Sequence, residues 1–296
     1  MPRAENYSKI EEKRDKVSTK ENQMQQTSKV VEKIVDELTL FDDDLMSMVF
    51  DANVPATELV LKIILARNDI KVINVTGQKE LKNPVVGGRN LRLDVLAEDE
   101  QGQQFNVEVQ RKNSGADERR ARFHSSMVDS RMLKKKQRFK ELPDSYMIMI
   151  TQNDYFGRSL PVYTVNRHIE ELDEKFKDGS HIVYVNGSYR GDDPLGRLMQ
   201  DFSCKNAKDI HYKELADGVR HFKEEGGRKI MCEAVEKYAQ EKAKEAARVA
   251  AIKSTIEDAI SYGMDRTLIV QKVIQKYSVN KKEAEKLYDS YEVTAV

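Results

Sequence analysis

The run SYMIMITQ, from Ser145 to Gln152, is the tightest constraint on the fold. Its apolar residues Met147, Ile148, Met149 and Ile150 follow one another without alternation. A strand with one wet face alternates apolar and polar residues, whereas a short continuous run fits a strand buried on both faces. The chain is therefore expected to be α/β, with this strand inside a sheet. Upstream, NVPATELVLKIILAR reads as a helix, with Pro55 in its first turn and Leu59, Ile63 and Ala66 on one face. Strands are expected at Ile70–Thr76, Leu91–Ala97 and Gln104–Gln110. A long helix from about Ala116 to Lys140 should end before Pro143. The order is helix, three-strand meander, helix, strand.

Beyond it, LPVYTVNR and HIVYVNGSYRG read as strands, with a tight turn at Asn186–Gly187. DPLGRLMQDF and HYKELADGVRHFKEE read as helices, making a mixed α+β extension. After Gly226–Gly227 comes a long Ala-, Glu- and Lys-rich helix. Its apolar seam, Val235, Tyr238, Val249, Ile252 and Ile256, breaks at Lys242 and Glu245. Gly263 ends it, and two shorter helices close a helical C-terminal tail. Residues 1–37, poor in large apolar side chains, are expected to be a mobile or weakly helical leader. The expected division is thus 1–37, 38–226 and 227–296.

The hairpin LRLDVLAEDEQGQQFNVEVQRKN places acids inside strand patterns. Strand side chains alternate between faces. Phe105, Val107 and Val109 share one face, and Asn106, Glu108 and Gln110 the other. With the loop centred on Gln101, Asp94 stands opposite Glu108, their Cβ atoms about 5 Å apart. Like charges so placed destabilise a sheet. A divalent cation would resolve the cost, since Mg²⁺ accepts one or two carboxylates together with waters and phosphate oxygens. Gln110, on the same face, could orient a water or a phosphate oxygen. On an exposed hairpin the same acids would merely be solvated.

The flanking blocks favour the first reading. LTLFDDDLMSMVFD, ATELVLKIILAR, LRLDVLAEDEQGQQFNVEVQR and RRARFHSSMVDSRMLKKKQRFKELPDSYMIMIT resemble the PD-(D/E)XK nuclease superfamily. More narrowly they resemble its bacterial recombination-promoting nucleases and transposases, over roughly residues 38–235. The resemblance implies a restriction-endonuclease-like core that cleaves DNA with Mg²⁺ or another divalent cation. It assigns the metal to Asp94, Glu108 and Val109, and matches Glu58 to an acid on the first helix. Glu58 could equally complement a helix N-terminus. The departure is Gln110, where the superfamily has Lys and this subgroup commonly Gln. Lys112, about 6.6 Å further along the strand, could reach back.

From Arg111 to Lys140 there are eleven Lys and Arg against three acids. Arg120, Arg122, Lys134, Lys135, Lys136 and Arg138 are candidate phosphate contacts. His124 reads as a packing or hydrogen-bonding residue. The whole chain carries 50 basic and 50 acidic residues, so any DNA contact must concentrate charge locally. Cys204 and Cys232 form no metal-like array, no apolar run suits a bilayer, and no signal peptide is legible. A cytoplasmic location follows, without a membrane partner. Three readings stay open: a metal-dependent endonuclease, a nuclease-like fold that binds DNA or a partner with little cleavage, and an interaction protein built on the C-terminal helices. Self-association, if it occurs, is expected through those helices.

Overall fold

The computed structural model describes residues 28–292. Residues 1–27 of the expected leader lie outside the described residues. Residues 28–37 form helix α1, which buries Val31 and Val35. Its end is held by Lys223, whose Nζ donates to the carbonyls of Asp36 and Leu38 at 2.7 Å and of Lys205 at 2.6 Å. An ammonium has three donors, and here all three are satisfied, which offsets its removal from water. Burial nevertheless draws the Lys223 pKa down.

Helices α2 (Asp43–Phe50) and α3 (Val54–Leu65) follow. Asn53 caps α3 by accepting the Ala56 N–H, and Pro55 takes a first-turn position where its missing donor costs nothing. The face that α3 buries is Ala56, Thr57, Val60, Leu61 and Ile64, not Leu59, Ile63 and Ala66. Ala66 caps the helix end in a left-handed conformation and is exposed. The helical period holds, but its phase is set by which neighbours flank the helix.

Strands β1 (Val72–Leu81), β2 (Leu91–Asp99) and β3 (Gln104–Gln110) form an antiparallel meander. Helix α4 (Glu118–Met132) crosses to β4 (Ser145–Thr151), which pairs parallel to β3. Then come β5 (Val162–Val165), a two-residue ladder of β6 (His168–Ile169) with β7 (Glu174–Lys175), and β8 (Ser180–Asn186). The six-stranded mixed sheet runs β1-β2-β3-β4-β8-β5. Met147, Ile148, Met149 and Ile150 are all buried, so β4 is covered on both faces as its composition requires. Ala121 of α4 packs among Met147, Met149 and Tyr184. Helices α5 (Pro194–Ser203) and α6 (Lys213–Glu224) join α2 and α3, with Phe202 set edge-on to Phe41 and tilted against Phe50. Helix, meander, helix and strand make the restriction-endonuclease-like core.

The long basic helix is a correction. It ends at Met132, not near Lys140. Past Met132 the segment KKKQRFK offers no apolar face to bury, and repeated cations repel one another at helical spacing. Gln137 takes the backbone instead: its Oε1 accepts the Lys134 N–H at 2.6 Å, and Lys136 adopts φ 79°.

By its contacts the chain divides into two units, 1–233 and 234–296. Helix α7 (Arg228–Ser261) carries the boundary, and residues 237–247 on it are exposed all round. That stretch coincides with the broken seam. In the second unit, Ile252 and Ile256 of α7 pack with Ile269, Val270 and Val273 of α8 (Arg266–Tyr277) and with Ala284 and Tyr288 of α9 (Lys281–Glu292). Asp265 caps α8 by accepting the N–H groups of Thr267 and Leu268. No helix among the described residues is long and apolar enough to cross a membrane.

The first turns of α7 belong with the first unit. Met231 is fully buried, and Arg228 pairs with Asp36 at 2.8 Å. A chain ending at Gly226 is expected to melt below one ending at Glu236. Loss of a buried Met costs about 2–5 kcal/mol. Circular dichroism melts of the two truncations check this; equal melting temperatures would place the boundary at the glycine pair.

Candidate active site

The site lies where β2 leaves β3 and where its ladder with β1 is interrupted at one position. On one side, Gly77 pairs with Val95 and Lys79 with Leu93, but Gln78, which faces Asp94, makes no ladder pair. Gln78 has φ 48°, a left-handed conformation that breaks the ladder there, and its Nε2 donates to Ser47 Oγ at 2.9 Å. On the other side, pairing of β2 with β3 runs from Glu98–Gln104 to Val95–Val107 and stops. Continued one step, that register sets Asp94 opposite Glu108, as the hairpin spacing implies. The loop is centred on Gln101.

At the fork, side chains replace the ladder. The Asp94 N–H donates to Glu108 Oε1 at 3.1 Å, and the Val109 N–H donates to Asp94 Oδ2 at 3.0 Å. Each carboxylate thus satisfies a backbone donor that the parting strands left without a carbonyl. Both acids are buried, Asp94 8% and Glu108 0% exposed. The solvated-hairpin alternative therefore does not hold. Burial, then the Glu108 carboxylate, then Asp43, push the Asp94 carboxyl well above its ordinary range.

Asp43 is the third acid, and it is absent from the residues that the sequence patterns single out. It stands in the first turn of α2. Burial, then Asp44, then Glu108 raise its pKa. Arg111, just past β3, pairs with Asp42 at 2.9 Å and ties the start of α2 to the end of that strand. The only signal is the acidic triplet in LTLFDDDLMSMVFD, which reads equally as a helix start. Glu58 lies elsewhere. Its carboxylate is 2.5 Å from Lys62 and accepts the Val72 N–H at 2.9 Å. It joins α3 to the start of β1, where Val72 pairs with Asp99, well along β2 from Asp94. The physical reason is the helix: an i,i+4 lysine on α3 is always within reach of Glu58.

Helix α4 brings two cationic or proton-bearing groups to Glu108. Arg120 Nη2 donates to Glu108 Oε2 at 3.3 Å, while Arg120 Nε is buried without a partner. His124, 2% exposed, has Nδ1 3.5 Å from Glu108 Oε1 and 3.4 Å from Asn106 Nδ2. His124 is thus a buried hydrogen-bonding residue, as expected. Asp117 caps α4 by accepting the Arg120 N–H, which starts the helix beside the fork. Beside it opens a cavity of about 460 Å³ lined by Arg89, Leu91, Asp117, Arg119, Arg120 and His124.

Gln110 ends β3 with its amide against Gly115. A Cβ at residue 115 would collide with Gln110 Oε1, so glycine there gives the amide its room. Lys112 is exposed in the bend after β3 and is not brought to the acids. Arg122 is exposed on α4. Lys134, Lys135, Lys136 and Arg138 lie beyond the opposite end of α4. From Arg120 to Met132 the helix rises about 18 Å. The fork and the lysine cluster are therefore two separate places.

The donor set suits a divalent cation. Two carboxylates crowd one buried spot with a third nearby, and Asp94 is bonded through Oδ2 alone. Among the described residues no three acidic, His or Cys side chains already converge at ligand distance. A cation such as Mg²⁺ takes one or two carboxylates and completes its shell with water and phosphate.

Residues 53–187 match the family model described as a PD-(D/E)XK nuclease family transposase. The matched stretch holds Asp94, Glu108, Gln110, Glu58 and all of α4, and it begins after α2 and Asp43. No curated protein and no solved structure matches the chain.

The raised Asp94 carboxyl has a consequence for stability. A carboxyl whose pKa rises on folding stabilises the fold fully at low pH, and that contribution is lost as pH climbs through the folded value. Asp94→Asn keeps an acceptor for the Val109 N–H but removes the charge. Without metal, the variant is expected to melt above wild type at pH 8, by roughly 2–4 °C for each kcal/mol of repulsion relieved. The difference should close at pH 4. Calorimetry in EDTA reads this directly; a variant that melts lower at pH 8 would mean the acids are not in conflict.

Proposed function

We propose that the chain is a metal-dependent DNA endonuclease, hydrolysing phosphodiester bonds in the service of recombination or a mobile element. One observation carries the reading: the buried Asp94 and Glu108 carboxylates meet at a strand fork inside the stretch that matches the nuclease family. Asp94, Glu108 and the Val109 main chain would hold the cation, Mg²⁺ or another divalent ion, with Asp43 close by. When bound, such an ion polarises a phosphoryl oxygen and lowers the pKa of a water.

The chain's own residues supply the rest. Gln110 lacks the fixed charge that a lysine would bring. Arg120 supplies it from α4. Its bond to Glu108 is long and its Nε is unsatisfied, so the guanidinium is held only loosely at the acid. A phosphate entering the neighbouring cavity would satisfy both of its nitrogens in the bidentate manner that arginine favours. Arg89 and Arg119 line the same cavity and would position the backbone without reading bases. The Gln110 amide, fixed against Gly115, can orient a water. His124, in the wall of that cavity, keeps Glu108 in place.

The test is nicking of supercoiled plasmid with Mg²⁺ and with EDTA. Asp94→Asn, Glu108→Gln and Asp43→Asn should each abolish it while the fold persists. Arg120→Ala should slow it by about 10²–10³-fold, the usual worth of a transition-state charge donor. Glu58→Gln should leave it near wild type. Cleavage retained in Asp94→Asn would sink the metal assignment. A wild-type chain that binds DNA but never nicks would instead support a nuclease-like binding protein, the reading that Gln110 favours.

A further inference from the structure

The segment after α4 combines an exposed aromatic ring with unpaired cations, roughly 18 Å of helix away from the acids. Phe139 is 89% exposed, which no packing argument accounts for. It stands among Lys134, Lys135, Lys136, Arg138 and Lys140, all exposed. Of these, Arg138 is paired, with Glu141 at 3.0 Å, and among the described residues the four lysines have no acidic partner.

The segment is not loose. Gln137 Oε1 accepts the Lys134 N–H, and the Gln137 N–H donates to the Lys134 carbonyl at 3.1 Å. Lys136 takes φ 79°, which turns the three consecutive lysines around a bend. The turn that carries the ring is closed in the same way: Glu141 accepts the Arg138 N–H at 3.1 Å through its side chain, and the Glu141 N–H donates to the Arg138 carbonyl at 2.9 Å. The exposed ring thus sits inside the second of two hydrogen-bonded turns. Beside it, Lys134 and Gln137 line a cavity of about 430 Å³ whose apolar wall includes Leu96, Val128 and Met132.

We propose that this loop binds single-stranded DNA, with Phe139 stacking on an unpaired base and Lys134, Lys135, Lys136 and Lys140 contacting its phosphates. An outward ring amid cations is the arrangement that holds a single strand, since every base presents a π-face. In an intact duplex the bases are already stacked on one another, so the ring gains nothing without unstacking them. The loop would hold a strand freed at or near the fork, at the other end of α4. The inference rests on the reading that DNA is the substrate, but it concerns a different surface.

The chain has no tryptophan, so Phe139→Trp introduces a lone indole at the loop. The full chain in EDTA, where no cleavage is needed, is titrated with an unlabelled oligo(dT) of about 12 nucleotides, within the site size of one strand-binding fold. Indole fluorescence should be quenched by the single strand and far less by a duplex of equal phosphate concentration. Phe139→Ala should weaken oligo(dT) binding about 5- to 150-fold, the worth of one base–aromatic stack. Phe139→Trp should keep wild-type affinity. Replacing Lys134, Lys135 and Lys136 by Ala together should flatten the salt slope of log affinity by about 0.7 for each phosphate that is no longer neutralised. Unaltered melting of each variant separates these effects from misfolding. Wild-type affinity in Phe139→Ala, no quenching at saturation, equal quenching by duplex, or a response to anionic vesicles in place of the oligonucleotide would each overturn the proposal. Quenching without plasmid nicking would leave this site standing and remove the nuclease reading; nicking without quenching would do the reverse.

Discussion

Everything at the fork depends on backbone donors that lose their ladder partners. Where β2 separates from β3, the Val109 N–H loses its ladder carbonyl, and where the β1 ladder breaks at Gln78, the Asp94 N–H loses its own. Buried, each would cost about 1–3 kcal/mol unsatisfied. The Glu108 and Asp94 carboxylates fill those places. The strands can therefore part without leaving orphans, and the sheet opens a crevice. The same two bonds draw the two negative charges together. Opening the sheet and assembling an acidic centre are one structural event.

The helices answer that event from both sides. The start of α2 approaches through the Arg111–Asp42 pair and delivers Asp43. The start of α4 delivers Arg120 and His124 to Glu108. Asp43 adds charge to a place that already has too much, and Arg120 removes only part of it. The centre is thus under electrostatic strain without a cation, a condition that favours any divalent ion able to enter. Catalytic sites commonly hold such strain, and the surrounding fold sustains it.

The two ends of α4 carry different chemistry. One end meets the acids; the other leads into a rigid cationic loop with an outward ring. An arginine-lined cavity and a lysine-lined loop on one helix give a long track for a polyanion, although the chain as a whole is neutral. On the proposed reading, a chain without net charge would engage nucleic acid through positive charge that is local and balanced by acids elsewhere.

Much is legible in the sequence, for a definite reason. The alternation in β2 and β3, the loop centred on Gln101 and the unbroken apolar run of β4 are local patterns, the first with a period of two. They determined the meander, its register and the meeting of Asp94 with Glu108. The broken seam of α7 likewise foretold its exposed middle. What the tertiary structure alone decided was who else comes to that meeting. Asp43 and Glu58 are both acids near helix starts, and nothing local separates them. Packing brought α2 to the end of β3 and left Glu58 beside Lys62 and the start of β1. The end of α4 was likewise beyond reach of periodicity, because helix propensity ran on through KKKQRFK while the apolar face that would have held it had already stopped at Met132. Strand pairing is written in short-range alternation; the approach of one element to another's end depends on the volume and charge of the whole core.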